Sequence, residues 1–465
     1  MTKNKSKLSI ACGFIAASVL VFASCSKEKI AVNTVNDSAN SNLTEVAVAS
    51  SNMVANQALV KFRKGTPTTA KNDAFARISA KTEEFIFTKT METAGETEGL
   101  YLISFPAAVP QALLALQSMP FIEYAEPNYI YQHAATSSDP YFTNGSLWGM
   151  TNTGFGCGAQ TAWTNNHTGS SNVVVAVIDE GIDNQHQDLS SNCWINPNET
   201  ANDGVDNDAN GYIDDVYGWD FDGNNNTTFD GAGDDHATHV AGTIGGLSNT
   251  VGVVGVNWNV KMVSCKFLGS TGGTTANAVK AVDYVTALKN KGINIVASNN
   301  SWGGGGFSAS LYDAINRANT AGVLFIAAAG NSGTNNDNTA SFPGNYSISN
   351  KVGGKTYAAL ANMIVVAAIA SNGTLASFSQ YGAKSVHLGA PGVNIFSSLP
   401  YDTYGSYNGT SMATPHVTGA AALYKANNSG ATAANIKAAI LNSVTKISSL
   451  TGKCTTGGRL NVSGF

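Results

Sequence analysis

Val173-Val174-Val175-Ala176-Val177-Ile178-Asp179 is an unbroken apolar run that ends on an acid. A strand in which every side chain is apolar, rather than every second one, needs cover on both faces, as in a parallel sheet sandwiched between helices. Four more largely apolar runs occupy 260–267, 293–298, 323–329 and 363–370. Longer stretches separate them, with helices expected over 275–289 and 308–321. This alternation predicts an α/β unit with a mainly parallel central sheet and helices on both faces. Functional residues in such sheets gather at the carboxyl ends of the strands, and Asp179 holds such an end.

The rest of the chain is read outward from that sheet. At 465 residues it exceeds one ordinary domain, so two folded units and an export segment are expected. Only 12% of residues are charged, glycine is abundant, and the net charge of -5 comes with no basic cluster, which argues against nucleic acid as a partner. Residues 1–25 carry Lys3, Lys5 and Lys7, an apolar run over 8–23 and then Ser24-Cys25, which reads as an export signal and not a spanning helix. Two versions fit: a bacterial lipoprotein signal with the lipid on Cys25, or an ordinary secretory signal with an incidental cysteine. Residues 26–54 lack helical or strand period and read as a flexible tether.

Residues 55–132 form a second unit. Strands are expected at 58–63, 100–105 and 121–131 and helices at 70–81 and 111–119, giving a small antiparallel α+β module with two helices on one face. A polar joint over 133–138 leads to the large unit, 139–465, which closes with a helix at 431–448 and a short tail, with no further binding or sorting domain expected. Export makes one or two disulfides feasible among Cys157, Cys193, Cys265 and Cys454, while the lack of a C-x-x-C pair argues against zinc.

Chemistry is concentrated in three short motifs. Asp179-Glu180-Gly181-Ile182-Asp183 follows the first apolar run, with Asp183 and Asp188 as competing acids. Asp235-His236-Ala237-Thr238-His239 places two histidines on a small-residue helix, and no third nitrogen or sulfur ligand supports reading them as a metal pair. Asn408-Gly409-Thr410-Ser411-Met412-Ala413-Thr414-Pro415-His416 precedes a buried apolar helix. There Ser411 is either a helix cap or a nucleophile at the positive helix end, with Gly409 allowing a tight approach.

The order Asp, His, Ser and the three motifs together resemble the subtilisin-like serine proteases, with Ala237 standing where that family usually has glycine. The resemblance covers residue 57 onward and implies a three-layer subtilisin fold. Ser411 would be the nucleophile, His236 the proton carrier, Asp179 its orienting acid and Asn331, in Ala329-Gly330-Asn331-Ser332-Gly333, the oxyanion donor. It likewise implies that Ser301, Trp302 and Gly303 pair with an extended peptide substrate and that Ser341 lies at the base of the specificity pocket, where no carboxylate selects basic side chains. Residues 55–132 resemble the ferredoxin-like inhibitory propeptide of these enzymes. The expected product is thus an exported, monomeric endopeptidase made as a zymogen, cut in the 133–138 joint and touching the membrane only through a lipid on Cys25. The catalytic part would leave the cell envelope once cut. A catalytically silent surface binding module is the competing reading, and a calcium-dependent adhesin a third.

Calcium is the expected cofactor. Eleven acids crowd Glu199 to Asp235, and no lysine or arginine occurs between Thr90 and Val260. Asp206, Asp208, Asn210, Tyr212, Asp214 and Asp215 offer oxygens at near-alternate positions around Gly211, like half an EF-hand loop, although Tyr217 stands where its closing glutamate would be. A fully solvated acidic loop is the alternative. The family resemblance implies a second calcium site from Asp188, Leu247, Asn249, Val251 and Val253.

Overall fold

The computed structural model describes residues 53–130 and 136–465, so the export signal, most of the tether and the joint at 131–135 lie outside the described residues. The chain divides into two compact units between Ile130 and Tyr131.

The first unit is a four-stranded antiparallel sheet in the order Lys81–Ile86, Leu100–Ser104, Met53–Phe62, Ile122–Tyr129. Helices Thr68–Arg77 and Val109–Gln117 accompany it. Phe62, Phe75 and Tyr101 meet with ring centroids 5.4 to 5.5 Å apart and anchor its core. The strand Lys81–Ile86, absent from the sequence reading, begins where a helix was expected to end. Ser79, at φ 51°, breaks the helix before it. That edge strand is exposed along nearly its whole length, so no alternation of apolar and polar residues marks it.

In the second unit, seven strands run parallel in the order Leu388–Pro391, Met363–Ile369, Leu324–Ala328, Ile295–Asn300, Gly169–Asp179, Asn259–Lys266, Gly218–Asp220, and a short antiparallel pair extends one edge. Val173, Val175 and Val177 enter one core with residues of helices Asp235–Gly245 and Thr410–Asn427. Val174, Ala176 and Ile178 enter another with helices Thr275–Asn290 and Ala309–Thr320. Successive side chains of a strand point to opposite faces, so an all-apolar strand feeds two cores at once.

The chain first builds outward from Gly169–Asp179 on one side, then crosses back to start the other side at Ile295–Asn300. The strand order reverses between these neighbours, and open sheets of this kind hold their sites at such a crevice. Asp179 ends one strand and Ser301 follows the other. Helix Thr410–Asn427 packs across both of them and is buried almost throughout from Thr410 to Leu423, which fixes its first turn at the same edge. Cys157, Cys193, Cys265 and Cys454 are all free and buried. Among the described residues no helix is long and apolar enough to cross a membrane.

Candidate active site

Asp179 is fully buried. Its Oδ1 accepts the Glu180 N–H at 2.9 Å and lies 2.8 Å from His236 Nδ1. Asp183 and Asp188 face elsewhere: Asp183 accepts the N–H groups of Gln185 and Tyr401, and Asp188 that of Val253. His236 stands in the first turn of its helix, where a backbone N–H lacks an intrahelical partner. The Glu180 carboxylate accepts it at 3.1 Å. Beneath them Lys266, the register partner of Asp179, donates to the Glu180 carbonyl oxygen and to Asp234 Oδ1, each at 2.6 Å. One buried ammonium thereby ties the strand end to the loop that delivers the histidine.

A quarter of the His236 side chain remains exposed. Burial works against its protonation and is the largest single influence, but the charge and hydrogen bond of Asp179, with Glu180 and Asp235 behind, outweigh it and raise its pKa to about 9. Burial, and then the neighbouring Asp179, push Glu180 up to about 6. His239 is different: burial brings it down to about 4, its Nε2 meets the Ile395 carbonyl oxygen at 2.8 Å, and its ring stacks on Tyr407. It is a neutral core residue. Ala237 is fully buried in the core, so its methyl is accommodated by packing.

Ser411 does not cap its helix. Its Oγ donates to the Ser301 carbonyl oxygen at 3.0 Å, while Ser301 Oγ donates to the Ser411 carbonyl oxygen at 2.8 Å. A Cβ placed on Gly409 would meet only ordinary contacts of 3.5 Å or more, so crowding does not explain that glycine. Gly330 is the constrained one, at φ 109°, where a Cβ would come within 1.8 Å of Gln380 Oε1. It turns the chain out of strand Leu324–Ala328 and presents Asn331. Asn331 Oδ1 accepts both the N–H and the hydroxyl of Thr410, each at 2.9 Å, which leaves the amide N–H₂ free to face the cleft. Thr410 thus sets the direction of Asn331, a role its sequence neighbourhood did not signal.

A cleft of about 610 Å³ brings together Ser301, Trp302, Gly303, Asn331, Ser341 and Ser411. No carboxylate or cation lines it. Of the expected substrate residues, Ser301 is buried and its side chain is engaged with Ser411, which leaves only its backbone for the expected pairing. Beyond Trp302 and Gly303 an apolar recess of about 460 Å³ is walled by Leu268, Leu311 and Phe342.

The acidic loop differs from its sequence reading. Carboxylate oxygens of Asp206 and Asp208 lie with one of Glu199 within 4.8 Å of one another. Asp214 instead accepts the N–H groups of Asp203 and Gly204, and Asp215 is buried against Tyr284 Oη at 2.6 Å and the side chains of Asn196 and Asn210. The Tyr212 ring packs on Trp219, Phe221 and Tyr284. The four aspartates of the set therefore split, and Glu199, seven positions upstream of Asp206, joins the cluster. Lys291 Nζ lies 3.0 Å from Asp208 Oδ1 and partly compensates it. At the second place Asp188 Oδ2 accepts the Val253 N–H at 2.8 Å, its Oδ1 is buried without a hydrogen-bond partner, and Leu247, Asn249 and Val251 stand around it. Asp139, unmarked by the sequence, supports that loop by accepting the Asn249 N–H at 3.0 Å.

An orienting acid, an imidazole, and a hydroxyl beside an amide donor at one sheet edge define the serine-protease class. The comparisons give the family. The subtilase family model matches residues 170–462. The alkaline protease of Alkalihalobacillus alcalophilus is 41% identical over 224 residues, 48% of this chain and 52% of that protein. Subtilisin Savinase of Lederbergia lenta is 40% identical over 224 residues, 48% of this chain and 74% of that protein. Subtilisin amylosacchariticus of Bacillus subtilis subsp. amylosacchariticus is 35% identical over 317 residues, 67% of this chain and 68% of that protein. A solved protease from Pseudoalteromonas arctica is 29% identical with a TM-score of 0.54, covering 71% of this chain and 98% of its own. The matched stretch thus spans from about half to three quarters of these curated relatives. The chain belongs to the subtilase family of serine proteases.

Proposed function

We propose that the protein is an exported endopeptidase that hydrolyses peptide bonds through an acyl-enzyme on Ser411. The observation that carries this is the 2.8 Å contact between buried Asp179 and His236, at the edge where Ser411 and Asn331 share one cleft. The Ser411 hydroxyl turns from the Ser301 carbonyl to His236, gives up its proton and attacks the substrate carbonyl. Asn331 Nδ2 donates to the oxyanion, and His236 returns the proton to the leaving amine. Asp179 holds the imidazole tautomer and stabilises its cation. The uncharged cleft suits apolar and medium-sized side chains.

Residues 55–132 act as an intramolecular inhibitor until the joint near 131–138 is cut; the small antiparallel α+β sheet supports this reading. With a lipid on Cys25, that cut leaves the anchor on the inhibitor and frees the catalytic unit, so catalytic-domain antibody should find the mature form in the soluble fraction. Calcium is proposed as a structural ion at two places, since both donor sets are oxygen. Glu199, Asp206 and Asp208 would hold one ion, and Asp188, with its unpartnered oxygen, would hold the other with the 247–253 loop. The ion would add rigidity and take no part in the reaction.

Expression of the full chain beside its Ser411→Ala form tests the proposal. The parent should shorten itself and clear casein, and the variant should stay full length. If both remain intact and neither cleaves casein, with or without calcium, the silent binding module is the correct reading.

A further inference from the structure

We propose that Asp179, Glu180 and His236 form a binding site for a zinc-class divalent cation whose occupancy switches the enzyme off. The consequence for activity rests on the protease reading; the binding itself does not. Ligand atoms of the three side chains, two carboxylate oxygens and an imidazole nitrogen, all lie within 4.8 Å of one another. Donors that near to one another close around a single ion after small side-chain rotations, and a mixed nitrogen and oxygen set suits zinc, whereas calcium and magnesium favour oxygen alone.

The electrostatics point the same way. Asp179 is completely buried, yet its Oδ2 has no hydrogen-bond partner, because Oδ1 serves both the Glu180 N–H and His236. An orphaned oxygen of a buried carboxylate has lost its hydration without replacement, and a cation restores it. Lys266, the register partner of Asp179, does not supply it. Lys266 Nζ spends its donors on Asp234, Asp230 and the carbonyl oxygen of Glu180, and leaves the Glu180 carboxylate alone. Tyr407 Oη is committed to Asp235 Oδ2 at 2.5 Å. The site is reached from the side of Glu180, which is only half buried.

Glu180 makes the difference. Asp179 and His236 alone offer two donors, and the adjoining carboxylate brings the set to three, with water completing a tetrahedral zinc. The imidazolium form of His236 binds by losing its Nδ1 proton to solvent; that nitrogen's lone pair bonds the ion, and the Nε2 proton stays in place. The hydrogen bond to Asp179 is replaced by coordination, and nothing is oxidised or reduced. A metallated His236 cannot take the Ser411 proton in its working orientation, so inhibition follows and a chelator reverses it.

The test uses protein purified from the full-length chain, kept in millimolar calcium and treated with phenylmethylsulfonyl fluoride at Ser411. Zinc chloride titrated by calorimetry should bind one to one with buffer-dependent proton release, and magnesium chloride should give no such signal. Glu180→Gln should weaken zinc on the order of 10- to 100-fold, at least the loss seen when groups behind metal ligands are removed, while Glu180→Asp, which keeps the carboxylate, should recover most of it. Circular dichroism checks that both variants are folded. In untreated enzyme the zinc concentration giving half inhibition should move by the same factor, each variant measured against its own uninhibited rate. No binding below millimolar zinc, or equal affinity in the parent and Glu180→Gln, overturns the proposal. Failure of the protease reading shows separately, as a Ser411 that the sulfonyl fluoride does not label, with zinc binding still measurable.

Discussion

At the carboxyl edge of the sheet, Asp179 gives one oxygen to a histidine and keeps the other unpartnered, whereas in the loop from Glu199 to Asp215 the carboxylates are largely spent on nearby N–H groups. Both regions are rich in acid. They differ in what surrounds the acid. Asp179, which ends a buried strand, finds one free N–H beside it, that of Glu180, and its other bond is to a side chain from another element. A loop carboxylate finds free N–H groups a few residues away, and these compete with any ion for its lone pairs. High acid density alone therefore says little about chemistry, and the topological position of each acid says much more.

The widest gap between the two regions should open at the nucleophile. Ser411→Ala should lower kcat by about a millionfold, the loss known for the same change in a subtilisin, with folding unaffected. Asn331→Ala should cost about 100- to 1000-fold in kcat, again the size known for that donor in a subtilisin. Thr410→Val, which releases the Asn331 amide without removing it, should cost less, and an effect equal to that of Asn331→Ala would mean that orientation is the whole contribution. Changes at Asp206 or Asp214 should leave kcat within the error of the assay.

The pH profile sharpens the comparison next. With His236 at about 9, the neutral base is scarce at pH 7, so kcat/KM should rise roughly fiftyfold between pH 7 and pH 9. The sign for stability is opposite. A histidine whose folded pKa lies above its unfolded value near 6.5 stabilises fully below 6.5, and the contribution is lost as pH rises through about 9. Activity should thus grow over the range in which the fold loses this support, and a flat kcat/KM from pH 7 upward would contradict the assigned environment.

Smaller effects belong to the loop. Tyr284→Phe removes the hydroxyl that meets buried Asp215 at 2.6 Å and should cost about 1.5–3 kcal/mol in urea denaturation of the Ser411→Ala protein. Loss of activity in the otherwise active Tyr284→Phe enzyme, beyond what unfolding explains, would couple the two regions that the present picture separates. Asp206→Asn, at a half-buried position beside Glu199 and Asp208, should change Tm by only a few degrees and only when calcium is present. An equal change in calcium-free buffer would make the loop a hydrogen-bonded turn without an ion.

The difference between the regions also explains what could be read in advance. Asp179, His236, Ser411 and Asn331 each sit where an apolar strand or a small-residue helix meets a polar motif, and the order of the motifs carries the roles proposed for them. Thr410, Lys266 and Glu199 carried no such mark. Thr410 acts on Asn331 across 79 positions, and Lys266 on Asp234 across 32, so no local window contains both partners. The edge strand Lys81–Ile86 was missed for a related reason: its side chains are mostly exposed, and its pairing partner is remote in sequence.

By itself the sequence determined the parallel sheet, the two helical layers and the membership of the family, because burial writes continuous apolar runs and strand ends carry short motifs. Only the tertiary structure decided which oxygen of Asp179 is occupied, which way the Asn331 amide faces, which acids of the loop converge, and that Glu180 stands close enough to share an ion with His236. Those are distances between side chains on different elements. They follow from how the helices cross the sheet at its switch point, and spacing along the chain does not encode them.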